Sequence, residues 1–239
     1  MKRERGSLEI GSEAHKELFC RHFKATFQSY TPAELPWPQL DEATLQRLRA
    51  VPFWQEVLHT ELRAGAIVGA FSKTVADPLL REAIDVQGFE ETRHGELLRE
   101  MIRRYGIEVN ELPLDPLPAD IETAFKDFGF GECMDSFLGF GVFKIAREAG
   151  FLPEPMFEIF DTLMYEETRH IVFFVNWMAY RQVQAGRGAA WRPPRSAFTA
   201  VRCGGSSARR DAVPKETTGK TSRRRRRACF SRASHSAGS

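Results

Sequence analysis

The pentapeptide Glu90-Glu91-Thr92-Arg93-His94 recurs unchanged at Glu166-Glu167-Thr168-Arg169-His170. The agreement extends upstream, where Glu82, Asp85 and Phe89 match Glu158, Asp161 and the aromatic Tyr165 at the same offset of 76 residues. So long an internal match marks two related helical halves. Within each copy a glutamate and a histidine stand three residues apart, Glu91 with His94 and Glu167 with His170. On a helix that spacing projects both side chains from one face. A carboxylate beside an imidazole is a ligand pair suited to iron or manganese.

In bundles that hold two such ions, two helices each give Glu-x-x-His and the other two each give one carboxylate. The chain therefore needs two further acids, one upstream of each motif. Glu61 is the first. It lies in an apolar stripe with Trp54, Leu58, Gly65, Val68 and Ser72, where an unpartnered carboxylate is costly to bury. Glu56 falls off that stripe. The second is sought in the repeat: Glu61-x-x-x-Gly65-x-x-Val68 returns as Asp135-x-x-x-Gly139-x-x-Val142 at an offset of 74. Asp135 is thus the expected fourth carboxylate, with Glu132, one turn earlier, as the reserve. The glycines of both halves either let backbones approach or leave room beside the metals.

The rest of the chain reads as helices and breaks. Residues 12–28 form a short amphipathic helix capped by Ser12, with Leu18, Phe19, His22, Phe23 and Phe27 at helical spacing. The proline-rich passage Thr31–Pro38 is a wrapped linker. A helix follows from Asp41 to about Val75, broken or bent at Pro52. Asp77-Pro78 pairs an N-cap with proline at the first helical position, and Gly106 ends that second helix. After a crossover loop over 107–119, a Phe- and Gly-rich helix runs over 120–149 and a fourth from Pro153 to Gln184. The expectation is an all-α, antiparallel four-helix bundle over 41–184, preceded by the helix and linker of 1–40 and followed by a disordered basic tail over 185–239.

The tail differs in charge as well. Residues 186–239 carry 14 Lys/Arg and 2 Asp/Glu of the chain's 34 and 32, so the body stands at −10 and the tail at +12. An acidic body gives no support to nucleic-acid binding. The run Arg223–Arg227 reads as part of a solvated appendage or an out-of-frame extension. The cysteines Cys20, Cys133, Cys203 and Cys229 are scattered, which excludes a local thiolate metal clip. Neither a Sec-type leader nor a membrane-spanning apolar run is present in the sequence, and the expected location is the cytoplasm. His15, His22 and His59 have no partner at ligand spacing, and Tyr105 and Tyr165 read as core aromatics.

The doubled Glu-Glu-Thr-Arg-His resembles the (Asp/Glu)-Glu-x-Arg-His signature of the ferritin-like di-iron oxygenases and oxidases, and the resemblance covers residues 41–184. It implies a ferritin-like fold with two iron ions, or an iron–manganese pair, held by Glu61, Glu91, His94, Asp135, Glu167 and His170. It also implies that Glu90 and Glu166 accept the free ring N–H of the histidine in the opposite motif, with Arg93 and Arg169 paired to them. The implied activity is O2-dependent oxidation or monooxygenation of a small molecule, with an electron-donor protein as partner and a homodimer as a compatible assembly. The alternatives are iron oxidation, storage or peroxide removal of the ferritin or rubrerythrin kind, and a helical scaffold without metal. Leu98 stands where ribonucleotide reductase keeps its radical tyrosine, which disfavours that branch.

Overall fold

The structure is a computed structural model and describes residues 8–186. All of these fall in the first of two compact units, Met1–Gly204; the second, Gly205–Ser239, lies outside the described residues, as does the expected disordered tail from residue 187 onward. Among the described residues the architecture is all-α: α1 (Glu13–Ala25), α2 (Glu42–Arg49), α3 (Trp54–Ser72), α4 (Pro78–Tyr105), α5 (Ile121–Glu148) and α6 (Glu154–Gln184). None of these helices is long and apolar enough to cross a membrane.

The helix ends follow from local chemistry. Ser12, Asp41, Asp77 and Asp120 each accept a backbone N–H of the first turn of α1, α2, α4 and α5, satisfying donors that otherwise lack a partner. Gly106 closes α4 in the left-handed region at φ 60°, where a β-carbon would be strained. The break at Pro52 is complete, separating α2 from α3. The proline-rich linker differs slightly from expectation, since Pro32–Glu34 winds into a 3-10 turn.

Helices α3 to α6 form the bundle, and side-chain registers show consecutive pairs to be antiparallel. A β-carbon at Gly95 would meet Leu62, one at Gly65 would meet Thr92, and one at Gly88 would stand 3.2 Å from the Gly69 backbone. Residue numbers therefore sum to 157 across α3 and α4. Across α5 and α6, Gly129 abuts Phe174 and Ser136 donates to Glu167, pairs that sum to 303.

Two apolar clusters fill the interior. One gathers Phe19 and Phe23 of α1, Phe71 of α3, Phe125 of α5, and Phe173 and Trp177 of α6. The other gathers Trp37, Leu48, Leu97, Met101, Met156 and Leu163. Along α4 the sequence passes from Leu80 and Ile84 in the first cluster to Leu97 and Leu98 in the second, and α6 runs the opposite way. Between the two clusters both helices carry their Glu-Glu-x-Arg-His motifs. The bundle thus holds a belt of buried charge between two apolar plugs.

Candidate metal centre

Four helices deliver six side chains to that belt. Ligand-type atoms of Glu61 (α3), Glu91 and His94 (α4) and Glu167 (α6) all lie within 4.8 Å of one another, as do those of Glu91, Glu132 (α5) and His170 (α6). Glu91 belongs to both groups and stands between them. His94 Nδ1 is 3.0 Å from Glu167 Oε1 and 3.5 Å from Glu61 Oε2. His170 Nδ1 is 3.0 Å from Glu91 Oε1 and 3.7 Å from Glu167 Oε2. Five of the expected ligands are brought together.

Asp135 is the exception, and Glu132 takes its place. Asp135 lies on the exposed side of α5, away from the cluster, whereas Glu132 turns inward. The registers give the reason. Glu61 stands at the level of residue 96, whose counterpart in the second half is residue 172, and level with 172 on α5 is residue 131, next to Glu132. Asp135 instead occupies the level that Gly65 holds opposite Thr92. The Gly-x-x-Val pattern is displaced by about one helical turn between the halves, so matching it selects an acid that lies outside the cluster.

Each outer ring nitrogen meets a carboxylate of the opposite motif. His94 Nε2 is 2.9 Å from Glu166 Oε2, and His170 Nε2 is 2.9 Å from Glu90 Oε2. A carboxylate only accepts, so each Nε2 carries the proton and each Nδ1 faces the cluster. Arg93 donates to Glu166 at 2.5 Å and Arg169 to Glu90 at 2.6 Å. The upstream aromatics of the repeat gain a role here. Phe89 and Tyr165 lie 5.2 Å and 5.9 Å from the guanidinium of the arginine four residues later. Both are exposed, so Tyr165 covers an arginine instead of filling the core. Tyr105 is a buried core aromatic that donates to the Pro38 carbonyl.

Sequence reasoning missed what holds the arginines. The end of α1 and the chain after it lie across both. Thr26 Oγ1 and the Phe23 carbonyl accept from Arg169, and the Gln28 carbonyl accepts from Arg93. Tyr30 donates to Glu166 at 3.3 Å, with its ring 3.9 Å from the Arg93 guanidinium. Burial, reinforced by the charge of Glu166, pushes the Tyr30 hydroxyl up to about 12, so it stays protonated. Backbone acceptors leave no mark on sequence, and only Tyr30 offered a signal. His15 is structural: it accepts from Gly11 N–H and bonds Asn176, tying α1 to α6.

The donor set fits a pair of divalent cations on two grounds. First, of six enclosed side-chain atoms among the described residues that find no hydrogen-bond partner, four belong to this cluster, namely Glu91 Oε2, Glu132 Oε2, His94 Nδ1 and His170 Nδ1, and buried polar atoms seldom remain so. Second, the charges leave a deficit. The arginines neutralise Glu90 and Glu166, leaving Glu61, Glu91, Glu132 and Glu167 as four acids that two M2+ would balance. Without cations the cluster competes for protons. Burial raises Glu61 to about 7, against the pull of the nearby His94 ring. Burial and the charges of Glu167 and Glu91 hold Glu132 well above the ordinary carboxyl range. Burial acts against both imidazolium ions, yet their carboxylate neighbours keep His94 and His170 well above the usual value. Glu167 is held low despite burial, by the His170 and His94 rings that face it.

Comparison with family models, curated proteins and solved structures gives no match. The geometry therefore defines a class and nothing narrower: an all-helical protein with a buried carboxylate–histidine cluster able to hold metal.

Proposed function

We propose that the chain is a ferritin-like di-iron protein that uses O2 to oxidise a small molecule in the cytoplasm, with electrons supplied by a donor protein. The observation that carries this reading is the inward-facing pair of His Nδ1 atoms, each locked by a glutamate–arginine pair behind it. A general cluster of surface acids has no reason to build that support. Two ferrous ions bound among these six side chains would supply the electrons for O2 reduction, and an iron–manganese pair is the alternative filling.

The chain's own groups divide the remaining work. Glu90 and Glu166 hold the protons of His170 and His94 on Nε2, raising the basicity of the inward nitrogens. The apolar clusters on either side exclude water from the belt. Glu61 and Glu132 are the converging acids that retain partial exposure, so O2 and substrate arrive between α3 and α5. The closed second sphere behind both histidines favours redox chemistry at a fixed site over passage of iron into a store.

The test is to load the protein with ferrous iron without oxygen and then mix it with O2 in a stopped-flow spectrometer. The expected result is a transient coloured species within one turnover, whose decay quickens when an oxidisable small molecule is added. Oxidation of ferrous iron in large excess over the site, with retention of the product as mineral, would establish storage instead.

A further inference from the structure

The second half of α5 presents an apolar face that no described residue covers. Met134, Phe137, Leu138, Val142 and Ile145 are each between 55% and 73% exposed. Met134, Leu138, Gly141 and Ile145 follow one another at spacings of four, three and four, which sets them in one stripe along the helix. A patch of this kind exceeds what a monomer usually shows to water.

We propose that this face is a two-fold interface at which α5 packs antiparallel against α5 of a second copy of the chain. The stripe is complementary to itself under that operation. With the two-fold axis between residues 139 and 140, Leu138 lies level with Gly141 of the second copy and Met134 with its Ile145, each pair occurring twice as an isologous contact demands. The fit alternates large with small. A β-carbon at Gly141 or Gly139 would meet nothing within 4 Å in one chain, which leaves a notch for the opposing Leu138.

The area suffices. Five large apolar side chains exposed to this degree amount to roughly 600 Å2 per chain, so a pair buries on the order of 1,200 Å2, above the roughly 1,000 Å2 expected of a specific interface.

Light scattering and sedimentation of the full chain at micromolar concentration test this directly. The expected mass is twice that of one chain. Leu138→Glu and, separately, Gly141→Leu should each weaken the dimer at least ten-fold without lowering the helix content or melting of the monomer, because Leu138 is largely exposed and a β-carbon at Gly141 meets nothing within one chain. A dimer that survives both substitutions lies on another surface and overturns the proposal. A monomer overturns it as well, and hydroxyl-radical footprinting at Met134 then says why: protection means that another segment of the chain, such as residues 187–239, covers the face, and labelling means that it stays bare. None of these readings depends on the metal centre.

Discussion

The Glu61 carboxyl, which burial lifts from 4.5 to about 7, gives the centre a pH signature. A carboxyl whose folded pKa is raised stabilises the fold below its unfolded value and loses that contribution as pH rises through the folded one. Metal-free protein should therefore lose stability between about pH 4.5 and a little above 7. His94 and His170, also raised, add a loss above 6.5. Coordination requires the deprotonated carboxylate, so metal affinity moves the other way. Calorimetric melting with and without metal should show a gap that widens from pH 5.5 to 8, and a gap that narrows would remove Glu61 from the ligand set. Arg169 offers a second test at this scale. Arg169→Met breaks a buried pair and leaves His170 as the one cation beside Glu90 among the described residues, and such a loss costs about 3 to 5 kcal/mol; urea titration of the metal-free variant measures it. Most of these residues were legible in the repeat because a motif of fixed spacing stays on one helix face wherever the helix begins. Glu132 was not. Its choice over Asp135 depends on how far α5 slides along α6, and a one-turn slide leaves periodicity unchanged.

At the scale of elements, α1 belongs to the bundle more closely than its separation by a proline-rich linker suggested. It contributes Phe19 and Phe23 to one apolar cluster, and the chain from Phe23 to Tyr30 receives both arginines that support the histidines. A chain lacking residues 1–40 should melt with much reduced cooperativity and bind metal weakly, although every converging ligand is retained. Unchanged melting would make α1 an ornament. Phe125 tests the other side of the same cluster. It stacks on Phe71 at 4.3 Å between centroids and is fully buried, so Phe125→Ala should cost about 3 to 5 kcal/mol in denaturant unfolding. The helix of α1 and its Ser12 cap could be read from apolar spacing and a capping residue. Its docking could not, since the acceptors it offers are backbone carbonyls and carry no residue identity. The same limit applies to α5, which the sequence marks as a Phe- and Gly-rich helix. Phe125 is buried, but Phe137 faces outward, and a helix rich in apolar residues on all sides does not declare which side meets the core.

For the molecule as a whole, charge divides the chain near the end of α6. All six converging side chains and both apolar clusters lie within residues 8–186, while 187–239 hold most of the basic excess. A chain ending at Gly186 should keep its metal content and its melting temperature. The all-α architecture and its four long helices were legible because caps, glycine stops and prolines punctuate them; the order of the apolar clusters along the bundle emerged only from packing. The central claim is that Glu61, Glu91, His94, Glu132, Glu167 and His170 together hold two metal ions. Anaerobic titration with ferrous iron, followed by metal analysis of the desalted protein, measures it most directly. The account predicts about two ions per chain in the wild type and in Asp135→Ala, and one or fewer in Glu132→Ala. A wild type that retains no metal, or an Asp135→Ala that loses it while Glu132→Ala does not, would contradict it.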